Sequence, residues 1–296
     1  MKESASVFGT TTPAVGILTM ATAPTGRGNL PAVVLLNAGR MHRVGPNRLY
    51  VRLARQLASA GFTVLRFDFA GIGDSPRRGD DVPLDEAVLE ETREAMEYVT
   101  RTTGADRFVL IGLCEGARNA FRVATADARV VGVLMIDGFA YRTAGFYWRR
   151  GVELLARNAC KLGTALKGGA WRRRPSVAAA DGGGPLGPDP GDVGEDGPYP
   201  TRDSLLPDMC ALLDRGTRLF FLYTSGGMDG VYNYGTQLYD AFPLLRAQGG
   251  VMTKYMSRTD HTFTLLAHQD EMLSAVRQWM TSGFGPPHSG DHGTRG

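Results

Sequence analysis

The segment from residue 108 to 124 constrains the fold most, because it predicts a strand, a sharp turn and a helix in direct succession. An apolar run at 108–111 leads into a pentapeptide at 112–116 with glycine at both ends and Cys114 at its centre, and a helix-compatible stretch follows at 117–124. Glycine tolerates the strained backbone of such a turn. The start of a helix also favours the thiolate, the reactive form of cysteine. The pattern therefore predicts a nucleophile held above a sheet.

Short apolar runs and helical stretches alternate along much of the chain. Strands are predicted at 32–36, 63–67, 108–111, 130–136, 219–223 and 251–256, and helices at 49–60, 84–100, 117–124, 234–248 and 265–280. This alternation is typical of an α/β protein with a mainly parallel sheet and helices on both faces. Ligands of such proteins bind outside the carboxyl ends of the strands.

The alternation stops between residues 138 and 204. Residues 146–166 have the spacing of an amphipathic helix, and 177–200 are rich in Gly, Pro and Asp. We therefore predict a core at 1–137 and 205–282, a helical lid with a disordered loop at 138–204, and a flexible tail at 283–296. The lid is strongly basic. That charge either serves solvation alone or attracts an anionic substrate or carrier.

Two residues after later strands are candidate partners of Cys114. By itself the pentapeptide also fits a buried, unreactive cysteine, but a thiol nucleophile needs a base and a group that orients it. Asp229 follows the strand at 219–223, and His261 follows the strand at 251–256. The order nucleophile, acid, histidine is that of the α/β-hydrolase arrangement. A turn-forming carboxylate and a surface histidine remain the alternative interpretations of these two residues.

The loop after the strand at 32–36 is a candidate for binding a developing oxyanion. Acyl transfer needs two N–H donors for that charge. One is predicted at Glu115, directly after the nucleophile, and the other at Arg40, with Met41 as an alternative. His42, in the same loop, suits an oxyanion or substrate role better than that of the base. The loop could equally be a simple turn.

Composition limits the classes of function. The chain has 296 residues, 43% of them hydrophobic, and a net charge of +3, which gives no general signature of nucleic-acid binding. No apolar stretch reaches the roughly 18 residues of a membrane span. Three cysteines without metal-ligand spacing, and no export signal, predict a reduced, cytoplasmic protein. We expect neither a metal nor another cofactor.

These residues together resemble the α/β-hydrolase superfamily. The markers are Leu36-Asn37-Ala38-Gly39, the segment 68–75, the pentapeptide 112–116, Asp229, and Asp260-His261-Thr262-Phe263. The chain is most similar to hydrolases associated with the exosortase A system, whose aromatic, Arg-rich lid resembles 141–148. That lid likeness implies that Tyr141 and Trp148 contact substrate. The superfamily mostly has serine at Cys114, and His-Gly at the position of Asn37-Ala38-Gly39.

The resemblance implies hydrolysis or acyl transfer by Cys114, His261 and Asp229 on a small ester or thioester, free or bound to a carrier. A thioester intermediate reacts with water, amines, alcohols or thiols, so cysteine suits both reactions. A non-catalytic binding protein on the same fold is the main alternative. An elimination or cyclisation enzyme acting on a biosynthetic intermediate would need the same base.

Overall fold

The computed structural model describes residues 1–21, 30–166, 200–226 and 231–285, and within helix α4 it describes side chains only up to residue 156. The strands are β1 (Lys2–Phe8), β2 (Ala14–Met20), β3 (Ala32–Leu36), β4 (Val64–Phe67), β5 (Phe108–Leu113), β6 (Val130–Ile136), β7 (Arg218–Thr224) and β8 (Val251–Met256). The helices are α1 (Leu49–Ser59), α2 (Leu84–Thr103), α3 (Glu115–Ala126), α4 (Ala144–Leu166), α5 (Arg202–Asp214), α6 (Gln237–Ala241) and α7 (Leu266–Phe284).

The strands form one sheet in the order β1-β2-β4-β3-β5-β6-β7-β8. Strand β2 pairs antiparallel with β1 and β4, and all the other pairs are parallel. In the register of the central strands, Leu36 lies opposite Gly112, and Ile136 lies opposite both Leu113 and Leu222. The carboxyl ends of β3, β5, β6 and β7 therefore meet at one edge, where the candidate residues lie.

Two apolar clusters cover the opposite faces of the sheet. All five residues of β3 are buried, because alternate side chains point to opposite faces. Val34 and Leu36 pack with residues of α2, α3 and α5, whereas Val33 and Leu35 pack with residues of α1 and α7. The predicted α/β class, with helices on both faces of a mainly parallel sheet, is confirmed.

Some elements differ from the sequence-based expectation. The hairpin β1–β2 and helix α5 were not predicted, and α5 crosses the expected boundary between lid and core at residue 204. The helix expected at 234–248 is broken into α6 and a 3-10 turn at Pro243–Arg246, since proline cannot donate the hydrogen bond that a continuous helix needs. Helix α4 lies in the expected lid. The expected disordered loop and most of the expected tail lie outside the described residues.

None of the described helices is both long and apolar enough to cross a membrane.

Candidate active site

Cys114 lies at the apex of a strained turn between β5 and α3. Its backbone has φ 57° and ψ −117°, a conformation unfavourable for a residue with a side chain. A Cβ atom on Gly112 would lie 2.0 Å from the carbonyl oxygen of Gly116, and one on Gly116 would lie 2.4 Å from the carbonyl oxygen of Asn37. Both glycines are therefore required by space. Helix α3 starts at Glu115, directly behind the half-buried thiol.

The hydroxyl of Tyr50 supports the turn from below. This side chain is fully buried, and its hydroxyl donates to Leu36 O at 3.0 Å and accepts from Leu113 N at 3.0 Å. It thus ties the end of β3 to the residue before Cys114. Burial, the largest effect, raises the pKa of Tyr50, so the hydroxyl stays neutral and keeps its proton for this bridge.

His261 is held by a buried carboxylate at the end of β6. Its Nδ1 lies 2.8 Å from Oδ2 of Asp137, which as a carboxylate can only accept. Asp137 is 1% exposed and also accepts from Thr224, from the backbone N–H at 2.8 Å and from the hydroxyl at 2.7 Å. These bonds fix the carboxylate, and the carboxylate in turn orients the imidazole with its other nitrogen free for a second partner.

That second partner is the thiol of Cys114. A hydrogen bond with His261 is the main cause that lowers the pKa of Cys114, against the opposing effect of burial. A backbone hydrogen bond from Glu115 and the charge of Arg118 lower it further. The hydrogen bond with Asp137, followed by the one with Cys114, raises the pKa of His261 to about 10. The two shifts together favour a thiolate–imidazolium pair.

The loop that carries His261 is shaped by Asp260 and backed by the end of β7. The carboxylate of Asp260 accepts from the hydroxyl of Thr262 at 2.7 Å and from Thr264 N at 3.1 Å. A Cβ on Gly226 would lie 2.9 Å from His261 N, so the chain after β7 can pass there only as glycine. These contacts place the imidazole over the carboxyl edge of the sheet.

Among the described residues, the carboxylate that contacts His261 is one that chain order did not predict. Asp229 lies outside the described residues. The carboxylate at Nδ1 of His261 is Asp137, which sequence reasoning missed. The available signal was an acidic residue directly after the apolar run 130–136, whereas Asp229 lies six residues after the run 219–223.

The candidate oxyanion loop is anchored by the side chain of Asn37. Its Nδ2 donates to Met41 O at 2.8 Å and to Oδ1 of Asp68 at 3.1 Å, and its Oδ1 accepts from Phe69 N at 2.9 Å. Met41 N donates to Ala38 O at 3.1 Å, so this N–H is engaged in the turn. No acceptor of Arg40 N–H occurs in the described part of the chain. Of the two predicted donors in this loop, Arg40 is the one that remains available.

His42, a predicted substrate contact, has other partners. His42 accepts from the guanidinium of Arg43 at 2.9 Å, and Arg43 also bridges the carboxylates of Asp68 and Asp74, its contact with Asp74 being 2.6 Å. The guanidinium thus neutralises the two acids beside His42 that a metal ion would need.

Tyr141 and Trp148, the two predicted lid contacts, have no described contact with the thiol–imidazole pair. Tyr141 is 3% exposed, and its hydroxyl donates to Pro200 O at 2.6 Å. Trp148 is 72% exposed on α4. Among the described contacts, none joins either residue or His42 to Cys114 or His261. Their role in substrate binding stays a prediction.

A cavity of about 340 Å³ adjoins the turn. Gly39, Arg40 and Glu115 line it on the side of the candidate oxyanion donors. A group bound there would therefore reach the residues next to Cys114.

Residues 31–149 match the family model described as the alpha/beta hydrolase fold. None of the curated proteins matches the sequence significantly.

Solved structures match nearly the whole chain. The alpha/beta hydrolase GrgF from Penicillium sp. sh18 is 15% identical, with 96% of this chain and 99% of that chain covered and a TM-score of 0.57. An esterase from Pyrococcus furiosus is 15% identical, with 96% and 92% covered and a TM-score of 0.56. An alpha-beta serine hydrolase homologue from Coxiella burnetii is 12% identical, with 95% and 97% covered and a TM-score of 0.53. At these identities the likeness concerns the fold. The sheet order, the strained turn after β5 and these matches together show that the chain has the α/β-hydrolase fold.

Proposed function

We propose that this protein is an enzyme that transfers or hydrolyses the acyl group of an ester or thioester through a covalent intermediate on Cys114. In this proposal His261 is the acid and base, and Asp137 takes the orienting role that chain order had given to Asp229. The hydrogen bond of His261 with Asp137, together with the interaction of His261 with Cys114 that lowers the pKa of the thiol, is the observation that supports it. The fold supports hydrolase chemistry in general, and the thioesterase or acyltransferase assignment is specific to this proposal.

The first half-reaction forms a thioester. The thiolate attacks the carbonyl carbon, and the backbone N–H groups of Glu115 and Arg40 bind the resulting oxyanion. When the tetrahedral intermediate collapses, the bond to the leaving alcohol or thiol breaks, and imidazolium His261 donates the proton that the leaving group needs. The acyl group is then on the sulfur and His261 is neutral.

The second half-reaction regenerates the thiolate. Neutral His261 takes a proton from water, or from an acceptor alcohol, amine or thiol, as that nucleophile attacks the thioester. Collapse of the second intermediate expels the thiolate of Cys114, and the imidazolium is restored. Asp137 keeps Nδ1 protonated and stabilises the imidazolium in both half-reactions, which is the role of the acid in such triads.

Intact-mass measurement with an activated acyl ester tests the covalent step. The wild-type protein should gain the mass of one acyl group, and peptide mapping should place it on Cys114. Cys114→Ala should lose the adduct. Cys210→Ala is the matched control, since Cys210 is another half-buried cysteine, on α5, and this variant should acylate like the wild type. An adduct that persists in Cys114→Ala, or a folded wild type that gains none, would contradict the proposal and favour a binding protein.

A further inference from the structure

Two arginines that line the cavity beside the strained turn have no ionic partner among the described residues. Arg40 and Arg77 both line it, and neither forms an ion pair or side-chain hydrogen bond with any of the described residues. Glu115 is the acidic residue in the lining. Two cations and one anion leave the cavity with an excess of positive charge.

Two nearby arginines, Arg43 and Arg78, differ from Arg40 and Arg77 because each of them forms ion pairs with carboxylates. Arg43 bonds Asp74 and the buried Asp68. Arg78, the residue next to Arg77, pairs with Asp80 at 2.9 Å and with two glutamates of α2. The acids on both sides of Arg77 in its loop, Asp74 and Asp80, are therefore already neutralised by other residues. The charge of Arg77 remains available to a ligand.

The loop around Arg77 holds the stem of this side chain over the cavity. Gly71 N donates to Pro76 O at 2.9 Å, which closes the loop just before Arg77. Gly71 has φ 75°, and a Cβ atom there would lie 3.3 Å from Cγ of Arg77. The aliphatic stem thus packs over a glycine that itself lines the cavity. This placement makes Arg77 part of the cavity wall.

The remaining wall is mostly apolar. Phe69, Ile72, Leu84 and Val88 line it. Its volume of about 340 Å³ is at the lower end of the range for small-molecule sites. The methylene groups of a ligand would be stabilised by burial against these side chains. An anionic group at the end of that ligand could bind the two arginines.

We propose that this cavity binds a short acyl chain that ends in a carboxylate, and that Arg77 is the residue that determines this specificity, with the side chain of Arg40 as a second contact. The inference rests on the proposed function, because the acyl carbonyl must lie at Cys114. It goes further in naming the substrate class: the monothioester or monoester of a short dicarboxylic acid. Guanidinium groups bind carboxylates through paired, charge-assisted hydrogen bonds, which gives geometric selectivity as well as attraction.

Matched thioesters of one neutral thiol test the proposal. Hexanoyl and adipoyl thioesters have acyl chains of equal length, and only the second carries a terminal carboxylate. The wild type should prefer the adipoyl thioester by about tenfold or more in kcat/KM, the effect of a hydrogen bond to a charged group. Arg77→Gln should remove most of this preference through a higher KM for adipoyl, and should lower the kcat/KM for hexanoyl far less. Arg77→Lys should restore part of it.

Arg277→Gln is the control for net charge. Arg277 is an exposed arginine of α7 that does not line the cavity, and its substitution removes the same charge. This variant should keep the wild-type preference. Equal loss of both substrates in Arg77→Gln, or no preference in the wild type, would overturn the proposal.

Two further outcomes distinguish this proposal from binding of the leaving group and from failure of the proposed catalytic function. A hexanoyl thioester of 3-mercaptopropionate carries the carboxylate on the leaving group instead. If Arg77→Gln reduced turnover of that compound and spared the adipoyl thioester, the cavity would bind the leaving group, and the assignment to the acyl chain would be wrong. If no thioester at all were turned over, the proposed catalytic function itself would fail.

Discussion

The Cys114 thiol and the His261 imidazole form a pair in which each group stabilises the charge of the other. The pKa of the thiol is lowered by its hydrogen bond with His261, and the pKa of the imidazole is raised to about 10 by Asp137 and Cys114. The ion pair therefore exists from the lowered pKa of the thiol up to about pH 10. Activity that depends on this pair should fall on both sides of that window.

Alkylation with iodoacetamide reports the thiolate directly. Because the pKa of Cys114 is lowered, its alkylation should rise with pH at a midpoint below about 8.5, the ordinary value for cysteine. His261→Gln removes the main cause, so the midpoint should move upward. Peptide mapping measures the alkylation of Cys114 separately. The Cys210 peptide of the same digest shows how the reactivity of iodoacetamide itself changes with pH. If the alkylation midpoint of Cys114 were the same in His261→Gln as in the wild type, the two side chains would not be coupled.

Asp137→Asn tests the orienting carboxylate. An amide can present its NH₂ to Nδ1 and select the wrong tautomer, so kcat should fall by about 10³-fold or more, as for other triads. The fold should persist, which thermal unfolding checks. Asp229→Asn should lose far less activity. The reverse ranking of the two variants would assign the orienting role to Asp229.

Sequence reasoning named Cys114 and His261 as candidates, and it missed Asp137, the carboxylate that the structure places against the imidazole. Cys114 and His261 could be found because a glycine-framed turn and a strand-end histidine are local patterns. The choice between Asp137 and Asp229 is different, since both follow apolar strands. Which carboxylate contacts the imidazole depends on how the loops after β6 and β8 approach one another. The sequence of either loop alone does not predict that geometry.

The strained turn after β5 depends on two glycines that fit against neighbouring backbone. Gly116 faces the end of β3, and a Cβ there would overlap the carbonyl oxygen of Asn37. Because backbone cannot move aside as a flexible side chain can, α3 would have to shift away from the sheet. The position of Cys114 is thus set by contacts between elements as well as by its own dihedral angles.

Gly116→Ala should reduce the free energy of unfolding by about 2 kcal/mol or more and remove acylation of Cys114. Gly151→Ala is the matched control. Gly151 is in α4 with open space around it, and alanine in a helix is favoured over glycine by about 1 kcal/mol. Urea unfolding compares the two. If Gly116→Ala were as stable and as reactive as the wild type, close packing would not explain the glycine.

The central strands with a continuous apolar pattern were predicted well, whereas the two strands of the edge hairpin were not. Strand β3 is buried along its whole length and was predicted at its observed bounds. Strand β1 is at the edge of the sheet, where polar residues such as Ser4 and Ser6 are tolerated, so it lacks an apolar run. Strand β2 contains Gly16, which is needed because a Cβ would lie 2.9 Å from the ring of Phe8. That requirement exists only once β1 is in place.

At the scale of the whole molecule, the parallel sheet brings together residues that are far apart in the chain. The candidate oxyanion loop follows β3, Cys114 follows β5, Asp137 follows β6 and His261 follows β8. The register of these strands is fixed by two buried faces, because a shift by one residue would expose apolar side chains on both. The sheet thus sets the position of the site, and its cavity is lined by the loops after β3 and β4 and by residues of α2 and α3.

The timing of acylation tests the central claim most directly. Rapid quenching during turnover of a thioester, followed by peptide mapping, measures how fast the acyl group reaches Cys114. We predict that this thioester forms at least as fast as product appears, and that it is absent in Cys114→Ala. A wild-type protein that releases product faster than Cys114 becomes acylated would contradict covalent catalysis by this residue.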